Sequence, residues 1–165
     1  MNISTYSKEQ LLSLISEIPD PEIPVINIIE LGILRDVSWD GTLCTVTITP
    51  TYSGCPAMKM IENDIKIKLK EIGINNTHVE LVYSPAWTTD WINDAAKEKL
   101  RAYGIAPPEY ISFDKRILTG KQREVKCPRC DSKTTEMISQ FGSTACKALY
   151  RCIDCKEPFD YFKCI

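Results

Sequence analysis

Histidine is almost missing from this chain. His78 is the only one among 165 residues, so a serine–histidine–aspartate triad, a histidine-rich metal site and the HExxH zinc motif are excluded within one copy. Glycine is also scarce, seven in all and scattered. None makes a GxGxxG or Walker pattern, so no nucleotide-phosphate loop is encoded. There is no run of 18 apolar residues, which excludes a spanning helix. The first residues, Met1-Asn2-Ile3-Ser4-Thr5-Tyr6-Ser7-Lys8-Glu9, lack the apolar stretch of a secretory signal. A large charge of one sign is lacking too, since the formal net charge is −2.

Cysteine, in contrast, is plentiful, with eight residues. Without an export signal these read as reduced thiols in a cytoplasmic protein, available to metals. Cys127-Pro128-Arg129-Cys130 and Cys152-Ile153-Asp154-Cys155 are two CxxC pairs with 21 residues between them. Each pair brings two thiolates onto one cation, and two facing pairs complete a tetrahedral four-sulfur site. The expectation is a β-ribbon over residues 121–165 built around zinc, with iron as the alternative. Cys146 and Cys164 lie in the same segment as additional thiols, spare or in a second site, because four ligands already close a zinc shell. Residues 121–165 carry nine Lys or Arg against six Asp or Glu. Four thiolates plus one divalent metal contribute −2, so about +1 remains, too little to argue for nucleic acid.

The pattern ahead of the ribbon is α-β-β-α-β-α. Ser7 and Gln10 make a capping box for a helix carrying Leu11, Leu12, Leu14, Ile15 and Ile18, closed by Pro19. Asp20-Pro21-Glu22-Ile23-Pro24 is a loop. Strands run over Ile33–Trp39 and Leu43–Thr49, with Asp40-Gly41 predicting a type I′ turn. A helix follows Cys55-Pro56, with Ile61, Ile65, Leu69 and Ile72 on its buried stripe and Gly73 as its stop. His78–Tyr83 reads as a strand parallel to the second through a right-handed crossover. Thr88 or Thr89 then caps a helix with Trp91, Ala95 and Leu100, ended by Gly104. The expected fold class is α/β: a small sandwich over 1–104, a linker over 105–120 containing Pro107-Pro108, and the zinc ribbon.

Cys55 is placed beyond the carboxyl end of a strand and at the head of a helix, where α/β folds tend to bind ligands. The helix dipole is expected to lower its pKa. Two readings stay open: a reactive or metal-binding thiol, or a small buried hydrophobe. Asp20 and Glu22 lie on a loop able to fold over the same end of the sheet, as metal partners or as a solvated turn. Thr49 and Thr51 flank the strand end. Cys44 alternates with Val46 and Ile48 and reads as core. Trp87 and Trp91 read as core anchors.

Asp20-Pro21-Glu22-Ile23-Pro24-Val25, Leu31-Gly32-Ile33-Leu34 and Thr49-Pro50-Thr51-Tyr52-Ser53-Gly54-Cys55-Pro56 resemble the small iron–sulfur assembly family that includes SufT, over about residues 8–103. Tyr83-Ser84-Pro85-Ala86-Trp87-Thr88-Thr89-Asp90-Trp91-Ile92, the ribbon, and Glu157-Pro158-Phe159-Asp160-Tyr161-Phe162-Lys163-Cys164 extend the likeness to the PaaD family of phenylacetyl-CoA epoxidase components. The resemblance implies an accessory role beside a multicomponent di-iron monooxygenase and its iron–sulfur flavin reductase in aerobic phenylacetate breakdown. It implies help in maturing iron or iron–sulfur centres, with Asp20, Glu22, Thr51 and Cys55 as the site and Cys55 as the metal or cluster thiol. Neither a nucleic-acid nor a membrane partner is expected, and a homo-oligomer is compatible. A rubredoxin-like electron-transfer component and a nucleic-acid-binding zinc ribbon are the alternatives. One departure concerns the two knuckles: Asp131 and Lys156 stand where glycine commonly follows the second cysteine.

Overall fold

The structure, a computed structural model, describes residues 6–108 and 124–163. The chain divides into two compact units, Met1–Trp87 and Thr88–Ile165.

The first unit opens with helix α1 (Lys8–Ile15). Both halves of the capping box form: Gln10 N–H donates to the Ser7 hydroxyl at 3.3 Å and Ser7 N–H to the Gln10 side chain at 2.9 Å. The helix ends before Pro19 is reached. Strands β1 (Leu34–Trp39) and β2 (Cys44–Ile48) pair antiparallel, and β3 (Thr77–Leu81) joins β2 in parallel, giving the order β1-β2-β3. Helix α2 (Ala57–Glu71) is the crossover between β2 and β3. Its Ile61, Ile65 and Leu69 are fully buried, as are Cys44, Val46 and Ile48 on the sheet and Leu11 and Ile15 on α1. Each such aliphatic side chain contributes about 1.5–3 kcal/mol of burial energy. Ile72, expected on the buried stripe, instead serves as C-cap and is half-buried; Gly73 follows with φ 91°.

The hairpin turn differs from the type I′ expectation. A type I′ turn needs positive φ at both central residues, whereas Gly41 has φ 93° and Asp40 is not in that region. The loop is longer, with Trp39 opposite Cys44, because the Asp40 carboxylate accepts from the N–H groups of Thr42 and Leu43, both at 2.8 Å. That side-chain turn replaces the two-residue one.

The second unit begins with a short 3₁₀ turn, Thr89–Trp91, capped by Thr88. Helix α3 (Asp94–Tyr103) then starts afresh, its N-cap being Asn93, whose side chain accepts from Ala96 N–H at 2.7 Å. The single helix expected from Thr88 onward is thus two pieces, because Asn93 offers a competing cap. Gly104 ends α3 in the left-handed region as expected. Ile105–Ala106, expected to begin a linker, instead form β4. The stretch of that linker from residue 109 onward lies outside the described residues. Strand β4 joins β5 (Thr135–Ser139), β6 (Lys147–Cys152) and β7 (Pro158–Phe162) in a sheet of order β4-β7-β6-β5. Ala106, Val125, Ala148, Phe159 and Tyr161 pack around the buried Cys127 and Cys152 in its core. The mixed α/β architecture with a cysteine-clustered C-terminal module agrees with the expected fold class. No described helix is long and apolar enough to cross a membrane.

Candidate metal centre and thiol site

The four ribbon cysteines converge. Their sulfurs all lie within 4.8 Å of one another, with Cys127–Cys155 at 3.7 Å and Cys130–Cys152 at 3.6 Å. A tetrahedron with metal–sulfur bonds of about 2.3 Å has sulfur–sulfur edges of roughly 3.8 Å, so the spacing suits one thiolate-bound cation. The two turns are held by different bonds. In the first, Asp131 N–H donates to the Cys127 carbonyl at 3.0 Å; in the second, Cys155 N–H points to the Cys152 sulfur at 3.5 Å. Asp131 (φ 58°) and Lys156 (φ 66°) both take the left-handed conformation usually given to glycine.

Charge explains why this centre wants a cation. Backbone N–H groups, that of Cys155 first, hold the Cys152 thiol down to about 7. Ser132 N–H likewise pulls on Cys130, but desolvation and the neighbouring sulfurs win and push it up to about 12. The Cys152 thiolate forms readily while those of Cys130 and Cys155 are opposed, unless a positive ion sits among them.

Cys146 is buried outside that cluster, its sulfur 3.0 Å from the Thr144 hydroxyl. Cys164 lies outside the described residues.

Cys55 sits at the end of the β2–α2 loop, with Pro56 as N-cap of α2 and Met58 N–H donating to the Cys55 carbonyl at 3.4 Å. The thiol is half-buried, and its pKa moves opposite to the sequence expectation. Burial, the largest effect, pushes it up; the Ala57 N–H pulls it down; Glu22 pushes it up; the Tyr52 hydroxyl pulls it down; Asp20 pushes it up. The helix head does supply a hydrogen bond, but desolvation and two carboxylates outweigh it. Glu22 and Asp20 act on the thiol through their charge, Glu22 the more strongly.

Asp20 is only 4% exposed, and its Oδ1 accepts from Glu22 N–H at 2.9 Å and Ile23 N–H at 2.8 Å. It organises the loop that carries Glu22. Thr51 is buried in the loop leading to Cys55, and the Thr49 hydroxyl is buried without a hydrogen-bond partner. Among the described residues, the four ribbon cysteines are the only group of three or more potential ligands that comes together; Cys55 and its carboxylates are not a preassembled shell. Sequence reasoning missed Tyr52 as a thiol partner. Its place three residues before Cys55, across a turn closed by Cys55 N–H to the Tyr52 carbonyl at 3.3 Å, was the available signal.

Comparison with known proteins places both halves. The family described as "PaaD zinc beta ribbon domain" matches residues 112–163, and "Iron-sulfur cluster assembly protein" matches residues 8–81. An Escherichia coli (strain K12) protein, provisionally named as the D component of a 1,2-phenylacetyl-CoA epoxidase, is 50% identical, covering 94% of this chain and 92% of its own. The "Fe-S protein maturation auxiliary factor SufT" of Staphylococcus aureus (strain USA300) is 41% identical over 47% of this chain and 90% of its own. A crystal structure of a DUF59 domain from Bacillus anthracis superposes with a TM-score of 0.52 at 28% identity, covering 56% of this chain and 90% of that one. The epoxidase-type relative spans the assembly domain and the ribbon together, and on that shared arrangement this chain belongs to the PaaD family of phenylacetyl-CoA epoxidase components.

Proposed function

We propose that this protein is an accessory, non-catalytic component of a phenylacetyl-CoA 1,2-epoxidase system in aerobic phenylacetate catabolism, acting in the cytoplasm. There it assists assembly of an iron or iron–sulfur centre in the oxygenase or the reductase. The observation that carries this reading is the half-buried Cys55 thiol, approached by Glu22 and Asp20 at the head of α2. A thiol held protonated by burial and carboxylates has little affinity for bulk reagents. A cation reverses the balance: the carboxylates then favour the metal-bound form, and the thiol proton is released. Cys55 is the transient ligand for the metal or cluster as cargo, Glu22 or Asp20 lends an oxygen, and Thr51 shapes the loop. Ligand exchange then passes the cargo to the client.

The ribbon metal is zinc, held by Cys127, Cys130, Cys152 and Cys155. A closed thiolate shell leaves no open coordination position, so its part is to fix a surface. Iron in the same four sulfurs would make an electron-transfer component; a colourless protein with one zinc per chain removes that reading.

The test is co-expression of the oxygenase and reductase with this chain or its Cys55→Ala variant, followed by iron and sulfide analysis of each client. The variant is expected to leave client contents at the level seen without the chain, while its unfolding free energy changes by less than about 1 kcal/mol. Normal client iron and epoxidase activity with Cys55→Ala would overturn the proposal.

A further inference from the structure

Among the described residues each sheet ends on two outer strands, and three of the four are blunted against further pairing. Strand β1 is bulged between Leu34 and Asp36, β5 is bulged between Met137 and Ser139, and β4 is two residues long. Strand β3 differs: its five residues run beside β2 in unbroken register. On the β2 side, Cys44 N–H donates to the Asn76 carbonyl at 3.0 Å and Val82 N–H to the Ile48 carbonyl at 2.9 Å. Residues of a strand alternate, so the even-numbered positions from 76 to 82 turn their peptide groups to β2. The N–H and C=O groups of Thr77, Val79 and Leu81 then point outward, along an edge with no neighbouring strand among the described residues.

The side chains decide what can pair with such an edge. His78 and Glu80 are both exposed and lie on one face of β3; Val79 and Leu81 lie on the other, aligned with Val46 and Ile48. Let a second copy of β3 run antiparallel about a two-fold axis at Val79. Val79 then meets Val79 of the second copy, and Thr77 meets Leu81, as hydrogen-bonded pairs with about six bonds in all. His78 falls opposite Glu80 of the second copy as a non-hydrogen-bonded pair, the closer kind, with Cα atoms about 4.5 Å apart. Symmetry repeats that pair. The imidazole, charged or neutral, offers an N–H donor to the carboxylate. Sliding the axis by one residue sets Glu80 against Glu80 or His78 against His78, so charge selects the Val79 register. Leu81, 39% exposed in a single copy, is covered in the pair by Thr77 of the second copy.

We propose that β3 is a self-association edge. Two copies of this protein join their three-stranded sheets into one continuous sheet through antiparallel β3 pairing, and the two His78–Glu80 contacts fix the register. The carboxyl ends of β3 point in opposite directions in such a pair, so each Cys55 stays at its own end of the joint sheet. The inference stands without the transfer role assigned to Cys55.

The test uses the full-length protein with its ribbon metal bound and its thiols kept reduced. Sedimentation equilibrium up to about 200 µM chain is expected to show a reversible dimer, the range suited to a small interface. Glu80→Lys is expected to raise the dimer Kd at least about tenfold, since both His–Glu pairs are lost at once and a cation then faces each imidazole. Adding His78→Glu to that variant exchanges the two charges and is expected to bring Kd back to within about threefold of the parent. Both positions are exposed, so circular dichroism is expected to stay unchanged throughout. Amide hydrogen exchange read by NMR reports on the edge itself. On raising the concentration, exchange of the outward Val79 N–H is expected to slow, and by more than that of the His78 N–H, which β2 already bonds. A parent protein that stays monomeric overturns the proposal, as does a dimer indifferent to Glu80→Lys. A double variant that stays dissociated, or a Val79 N–H whose exchange ignores concentration, overturns it as well.

Discussion

At the scale of single residues, two cysteines show how place decides chemistry. Cys44 and Cys55 both have raised pKa values and both owe this first to burial. Cys44 is sealed, 0% exposed on β2, and reaches about 11 from an ordinary 9.0. Cys55 is hydrogen-bonded by a hydroxyl and an N–H and feels the charge of two carboxylates. The sealed thiol makes a pH prediction. Its folded pKa lies above the unfolded one, so its share of stability is full below about pH 9. Between pH 9 and about 11 the unfolded chain loses the proton while the folded chain keeps it, and stability falls with rising pH. The total is roughly 2–3 kcal/mol at 1.36 kcal/mol per pKa unit. Urea unfolding across that range should show a steeper alkaline loss in the parent than in Cys44→Ala; parallel curves would remove the assignment. The core role of Cys44 was legible from its alternation with Val46 and Ile48. The direction of the Cys55 shift was not, because the sequence names a helix head but gives no measure of how deeply a loop buries it.

At the scale of elements, the knuckles offer the cleanest test. Lys156 holds φ 66° although it has a Cβ, at a cost of about 1–2 kcal/mol relative to glycine in that conformation. Lys156→Gly should raise the stability of the metal-bound protein by up to about 1 kcal/mol, since glycine also loses more freedom on folding. Lys156→Val should lower it. Chelator competition, reading metal affinity across the three proteins, should rank them in the same order. The CxxC spacing made this site legible, as the capping box did for α1 and the β2–α2–β3 crossover did for the parallel pair. The hairpin turn and the helix after Thr88 were less so. In both, a side-chain acceptor won over a composition signal: Asp40 bonds two N–H groups in place of a type I′ geometry, and Asn93 restarts the helix. Such local competitors are visible in sequence, but their victory depends on a few tenths of a kcal/mol that only the folded context supplies.

At the scale of the whole molecule, the two units rest on different foundations. The first has an aliphatic core from Leu11, Ile15, Val46, Ile61, Ile65 and Leu69. In the second, Cys127 and Cys152 are themselves core residues, buried among Val125, Ala148 and Phe159. Removing the metal leaves buried sulfurs in mutual repulsion once they ionise. Chelation should therefore open the Thr88–Ile165 unit to limited proteolysis while a fragment near residues 1–87 resists. Simultaneous loss of both, or survival of both, would contradict that division of labour.

The ion pair between Arg101 of α3 and Asp131 of the first knuckle, 2.9 Å long, carries this further. Asp131 follows Cys130 of the four-cysteine cluster and holds the left-handed turn, so the last turn of α3 is fastened to a loop that a cation among those sulfurs would stabilise. Half of the chain would then depend on metal supply. Polypeptide made in a metal-starved cell would keep this unit accessible to proteases. The abundance of this protein would thereby follow the availability of metal.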